Sequence, residues 1–314
     1  MLRTLARAYE GLVTLRRSGY ERGLLRRVRL PVPVVSVGAL SLGGSGKTPV
    51  ASYLAAHLLD RGYRVGIVHR GYGATARAVM RVRSHDHGAI VGDEAVFHAR
   101  RLPAAIVVRG ADKERAARVA ISEGAEVIVL DDGFQHLRLH RELDVVLADR
   151  PPTASPLEIV REGRSALHRA DLLWAHGRDG LLPQVACDVA SRLSAVSLLR
   201  TTGEVCGAAA SLAGARVFLL GAIARPRAFI QLVAALGAAI VGRRFRRDHR
   251  RLEREDLALA RASRPDLILC TEKDLARQSD ELEGVYGLGC EVRVERGAER
   301  LAMALEGLLA GGRW

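Results

Sequence analysis

Short aliphatic, β-branched runs alternate with longer stretches of helical spacing through most of this chain. Val34–Val37, Val65–Val68, Ala105–Val108, Glu126–Leu130 and Val145–Ala148 are near-continuous apolar runs. Such runs read as parallel strands buried on both faces. Between them, Val50–Asp60 and Lys113–Ser122 have the length and spacing of helices, giving the βαβ signature of an open parallel sheet. A Gly/Ala/Ser stretch at Gly207–Gly214 interrupts the alternation. It then resumes with strand-like Val217–Leu220, helix-like Arg227–Leu236, strand-like Ala239–Val241, helix-like Glu253–Arg261 and strand-like Leu267–Cys270. The fold class expected is α/β, with a larger parallel-sheet domain over residues 1–210 and a smaller α/β domain over 211–314.

The N-terminus follows another pattern. Leu2, Leu5, Tyr9, Leu12 and Val13 fall on one helical face, with Arg3, Arg7, Glu10 and Arg17 opposite. Eight arginines precede Pro31 against two acids, so this amphipathic segment reads either as a membrane-surface helix or as a helix packed on the domain. No apolar run approaches the roughly 18 residues of a membrane span, and the segment around Leu232–Val241 is far too short. No signal-peptide pattern opens the chain, and the expected location is the cytoplasm or a membrane surface facing it.

Charge narrows the partners. The net charge of +13 calls for nucleic acid, anionic lipid or a phosphorylated substrate. Aromatics are only 4% of residues, too few for a base-stacking platform, so nucleic acid is not expected. Only three of the 48 basic residues are lysines: Lys47, Lys113 and Lys273. In an arginine-biased chain, Lys47 and Lys273 stand where a compact ammonium is wanted. The four cysteines lack metal-ligand spacing and read as reduced, small apolar residues.

The chemistry begins where Val34–Val37 runs into Gly43-Gly44-Ser45-Gly46-Lys47-Thr48. A strand that delivers the chain to a Gly-rich turn and then a helix start makes a phosphate cradle. In a P-loop NTPase-like domain of this kind, Lys47 reaches the β/γ-phosphates of ATP and the Thr48 hydroxyl serves Mg²⁺. The general pattern wants glycine at position 41, and this chain has Ser41. Val127–Leu130 then ends in Asp131-Asp132-Gly133, an acid pair at a strand tip where P-loop folds hold their metal. Adjacent residues of an extended chain face opposite ways, so one acid is expected at the metal: Asp132, with Asp131 supporting. Weaker signals are Gly92-Asp93-Glu94 at a helix start, Arg70-Gly71-Tyr72-Gly73 after a strand, and Asp248-His249 inside a run of six arginines from Arg243 to Arg251.

Taken together, these motifs make the chain resemble the tetraacyldisaccharide 4′-kinase family of lipid A synthesis. The likeness runs from about Pro33 to Gln278. It comprises Gly43–Pro49, Arg70–Gly73, Gly92–Glu94, Asp131-Asp132-Gly133-Phe134-Gln135-His136, Arg161-Glu162, Asp248-His249 and Thr271-Glu272-Lys273-Asp274. The resemblance implies ATP as donor with Mg²⁺. It also implies a membrane-embedded tetraacylated glucosamine disaccharide 1-phosphate as acceptor, and a peripheral enzyme at the cytoplasmic face of the bacterial inner membrane, in contact with anionic lipid. It implies that Asp93, paired with His249, takes the proton of the sugar hydroxyl. Arg70, Tyr72, Gln135, His136 and Glu162 would shape the acceptor site, and the arginine run would grip a phosphate or lipid head groups. The chain departs from the family in Ala95, where proline is usual, and in a Pro151–Val160 stretch without tryptophan. The competing reading is a P-loop regulatory ATPase or GTPase, which Thr271–Asp274 mimics as a loose guanine-specificity string. A kinase for a small soluble metabolite is the third.

Overall fold

The computed structural model describes residues 15–40, 44–148, 164–177, 186–247, 250–278 and 284–310. Its strands are β1 (Val34–Ala39), β2 (Val65–His69), β3 (Met80–Arg81), β4 (Ile106–Arg109), β5 (Val127–Asp131), β6 (Leu143–Leu147) and β7 (Leu172–Gly177). The later ones are β8 (Val189–Leu199), β9 (Val205–Ala208), β10 (Arg216–Gly221), β11 (Ala239–Phe245), β12 (Leu267–Thr271) and β13 (Val285–Arg296). The helices that matter below are α1 (Lys47–Leu59), α2 (Asp93–Arg101), α3 (Lys113–Ser122), α4 (Pro226–Ala235), α5 (Arg254–Ala262), α6 (Glu272–Arg277) and α7 (Ala298–Ala310).

Among the described residues all strands join one sheet, in the order β11-β10-β12-β13-β8-β7-β6-β1-β5-β2-β4-β3, with β9 on β8. The first half is parallel from β7 to β4, and β10, β11, β12 and β13 are parallel in the second. The halves meet at the long antiparallel pair β8–β13. The sheet thus runs unbroken past residue 210. Chain alternation located the βαβ strands because both faces are buried: β1, β2, β4, β5 and β6 carry no exposed residue. The long joining strands carry half-exposed and polar positions, and no apolar run marks them.

Helices α1, α2 and α7 cover one face of the first half, with Val50, Leu54, Leu58, Val96, Leu301 and Leu305 against Val35, Val37, Val127 and Val129. On the other face α3 packs Ala116, Ala117 and Ala120 against Val68, Val108 and Ile128. The carboxyl ends of β1, β2, β5 and β7 therefore open at one edge of this layer, where open α/β sheets bind ligands. The N-terminal segment Met1–Arg17 falls largely outside the described residues, where a helix is seen from 15 to 21. No helix of the described residues is long and apolar enough to cross a membrane.

Candidate active site

At the end of β1 the chain turns through Gly44 and Gly46, both in the left-handed region, with φ of 57° and 86°. Gly46 is the N-cap of α1 and no side chain caps it, so the open N–H groups and the positive end of the helix face outward. Lys47 folds back, donating to Ser45 Oγ at 3.0 Å and lying 3.6 Å from Asp132 Oδ1. The Thr48 hydroxyl donates to Asp131 Oδ2 at 2.9 Å.

The two aspartates do not divide as strand alternation predicts. Asp131 ends β5, but Asp132 already sits at φ 58°, outside the extended region. Period-two alternation stops there, and both residues line the same cavity. The acid at Thr48 is Asp131, and Asp132 faces Lys47. Asp131 is buried and is bonded by His98 Nε2 at 3.0 Å, while His98 Nδ1 meets Ser52 Oγ at 2.7 Å. Burial works against the Asp131 carboxylate, yet the His98 bond and the charge of Lys113 hold it well below the usual carboxylate range. His69 stands 4.0 Å from Asp131, takes the Gly71 N–H on Nδ1 at 2.9 Å, and is pushed down by burial.

All three lysines meet here. Lys113 is buried with Nζ on the backbone carbonyls of Asp131 and Asp132, the latter at 2.7 Å. Lys273 pairs with Glu94 at 2.6 Å. No motif surrounds Lys113 in the sequence. Its rarity as a lysine was the available signal, and it applied equally to all three.

The motifs of the two halves interlock through α2 and α6. Gly92, at φ 100°, lets its turn approach Gly71 so closely that a Cβ would stand 2.9 Å from the Gly71 Cα. Behind it Asp93 accepts from Arg277 Nη2 at 2.6 Å, Glu94 meets Lys273, and Arg101 Nη1 reaches Glu272 Oε2 at 3.1 Å. Arg277 also donates to the carbonyls of Ala222 and Arg250, both at 3.0 Å. Thr271 and Asp274 form a capping box on α6. That box and the Glu94 pair account for the Thr271–Asp274 string without a guanine base.

A cavity of about 520 Å³ gathers the phosphate turn, His69, Tyr72, Glu94, Asp131, Asp132, His176 and Lys273. Its lining also includes an apolar wall of Leu193, Ile223, Phe229, Leu232 and Leu288, which pack in one cluster. Tyr72 lines the cavity; Arg70 is exposed outside its lining. Gln135 and His136 are not part of the lining. Gln135 Nε2 donates to Ala39 O at 3.0 Å, and burial, with Lys113 and Arg141 nearby, lowers the His136 imidazole to about 4. Asp93 is buried against Arg277 rather than in the lining. Gly43, Glu162 and His249 lie outside the described residues. Within the arginine run, Arg246 and Arg244 pair with Asp256 at 2.6 and 3.3 Å, so part of it is tied to α5, while Arg243 and Arg247 are exposed.

The chain matches the LpxK family, tetraacyldisaccharide-1-P 4′-kinase, over residues 1–309. It belongs to that family. A tetraacyldisaccharide 4′-kinase of Anaeromyxobacter dehalogenans (strain 2CP-1 / ATCC BAA-258) is 39% identical over 96% of this chain and 88% of its own length. One from Geobacter sulfurreducens is 35% identical over 92% and 87%. The crystal structure of LpxK from Aquifex aeolicus in complex with ATP superposes with a TM-score of 0.78, at 28% identity and 98% of both chains. Membership of the LpxK family removes the footing of the regulatory ATPase or GTPase alternative and places the P-loop in an ATP-dependent kinase.

Proposed function

We propose that this chain transfers the γ-phosphate of ATP to the 4′-hydroxyl of a tetraacylated glucosamine disaccharide 1-phosphate, in lipid A synthesis. The observation that carries the reading is the uncapped α1 N-terminus, with the Thr48–Asp131 bond of 2.9 Å at its foot, opening into a cavity that also has an apolar wall. Thr48, Asp131 and Asp132 offer the hard oxygens that Mg²⁺ prefers. Among the described residues no group of three or more His, Cys, Asp or Glu is placed to hold a metal alone, and Mg²⁺ on one or two carboxylates plus phosphate oxygens needs none. Bound there, the ion would neutralise charge on the phosphates.

Lys47 adds a positive charge at the phosphate turn, and its 3.6 Å separation from Asp132 keeps the ammonium aimed there. A sugar hydroxyl is too weak an acid to ionise beforehand, so a carboxylate accepts its proton late in a loose transition state. We assign that role to Asp93 with His249. In support, the guanidinium that binds Asp93 also binds the carbonyl of Arg250, the residue after His249. A second reading gives the proton to Glu94, because Glu94 is the acid of the pair that lines the cavity. Tyr72 is the acceptor-loop residue best placed to touch the sugar.

We place the division between two domains near residue 210, with the β8–β13 pair as the joint across which the cleft closes. The acceptor lies in the membrane, and the exposed arginines Arg243, Arg247, Arg250 and Arg251, with the N-terminal segment, supply attraction to its anionic surface. Incubation with γ-labelled ATP and either the lipid acceptor or a soluble glucosamine tests the reading. Label in the lipid alone supports it; label in the soluble sugar alone overturns it.

A further inference from the structure

His176 lines the cavity against the phosphate turn, apart from the groups assigned to metal and proton transfer. It sits on β7 in register with Ser191 on β8, and both are buried. A Cβ added at Gly46 would stand 2.5 Å from His176 Cδ2 and 3.4 Å from Nε2. The Cδ2–Nε2 edge of the ring therefore faces the turn, and only glycine fits between them.

The proton on that ring follows from its neighbours. Trp174 Nε1, which only donates, gives its hydrogen bond to Ser191 Oγ at 2.7 Å. Ser191 Oγ lies 2.8 Å from His176 Nδ1. With one Ser191 lone pair engaged by Trp174, the hydroxyl is free to turn its single proton to His176 Nδ1, and we take the bond in that direction. Nδ1 is then the acceptor nitrogen, so Nε2 carries the hydrogen. Trp174 is itself held edge-on against Tyr53 of α1, at 5.9 Å between ring centroids. The helix that opens at the phosphate turn thus also supports the group that orients the imidazole.

We infer that His176 is a phosphate-binding residue whose Nε2–H donates to a nucleotide phosphate oxygen seated in the Gly44–Thr48 turn, with Trp174 and Ser191 as positioning residues that fix the tautomer. The inference rests on the kinase reading and adds a side-chain donor from β7 to the backbone cradle. Hydrogen bonds to charged groups are among the stronger ones, so losing this one is read as a tenfold effect or more.

The experiment is calorimetric binding of ATP, tripolyphosphate and adenosine to the full chain, to His176→Leu and to His176→Gln, with nitrogen-15 spectra of the imidazole. His176→Leu is expected to weaken ATP and tripolyphosphate by about tenfold or more and leave adenosine unchanged. His176→Gln, which keeps an N–H donor, should recover most of the loss. In the unaltered chain the imidazole should show the Nε2–H tautomer, and its ε proton should shift when tripolyphosphate is added. Unchanged affinity in a folded His176→Leu, or an Nδ1–H tautomer with no shift, overturns the inference while leaving the kinase reading intact. Should His176→Leu fail to fold, the spectra of the unaltered chain decide. An unaltered chain that binds neither ATP nor tripolyphosphate would remove both.

Discussion

The half of the sheet around β1, β2, β4 and β5 and the half around β10, β11 and β12 are wound with the same parallel connections, yet they bring different chemistry to the cavity. The first supplies the phosphate turn, Lys47, Asp131, Asp132 and Glu94. The second supplies the apolar wall of Ile223, Phe229 and Leu232 and the cation Lys273, paired with Glu94, while Arg277 reaches back to Asp93 outside the lining. One pair runs the other way, from Arg101 to Glu272. The difference teaches that the first half carries the groups suited to phosphate, while the second half reaches back to hold two of its carboxylates. Ions in such a partly buried clasp each stand to lose their compensating partner if the halves part.

The largest effect should fall wholly in the first half. Lys47→Ala removes the ammonium at the phosphate turn, and turnover should drop on the order of a thousandfold, because charge stabilisation supplies most of the catalysis in phosphoryl transfer. Steady-state kinetics on folded protein checks this, and near-normal turnover would strip the turn of its role.

Next comes the carboxylate that straddles both halves. Asp93→Asn should lower kcat by about a hundredfold, the scale of general-base catalysis, whereas Glu94→Gln should cost markedly less. The reverse ranking would transfer the proton to Glu94.

These effects fall where the sequence could be read. The phosphate turn and the acid pair are contiguous residues at the end of apolar strands, so local pattern exposes both residue and position. The first-half strands were legible for the same reason. The ion pairs between α2 and α6 join residues far apart in the chain, and no spacing rule connects Asp93 to Arg277. His69, His98 and His176 are single polar residues at strand ends or on a helix face, and only tertiary contact gives them meaning. Asp131 and Asp132 show a subtler limit: alternation was the right rule for a strand, but the strand ends between them.

A smaller effect concerns the first half alone. Burial lowers the His136 imidazole from 6.5 to about 4 in the folded chain, while the unfolded chain keeps the ordinary value. Between those values the unfolded state binds a proton that the folded state refuses. Stability should therefore fall as pH drops from about 6.5, and this contribution should level off below about 4. Thermal unfolding of His136→Gln should show a flatter pH dependence across that window; an identical profile would contradict the assignment.

The smallest effect sits at the periphery. Sedimentation with anionic vesicles should weaken as salt rises, since each basic residue near the surface contributes about 1 kcal/mol within a Debye length. Removing residues 1–17 should weaken it a further few-fold. Indifference to anionic vesicles at low salt would remove the membrane attraction without touching the transfer chemistry.

The central claim is that the two halves make one site, and a double-mutant cycle across the Glu94–Lys273 pair at 2.6 Å tests it most directly. Glu94→Gln and Lys273→Met should each lower kcat/KM by roughly tenfold, and the double variant should lose little more than either alone, because partners acting as a unit show non-additive losses. Losses that multiply to roughly a hundredfold would mean that the pair acts independently, and that the second half does not complete the site of the first.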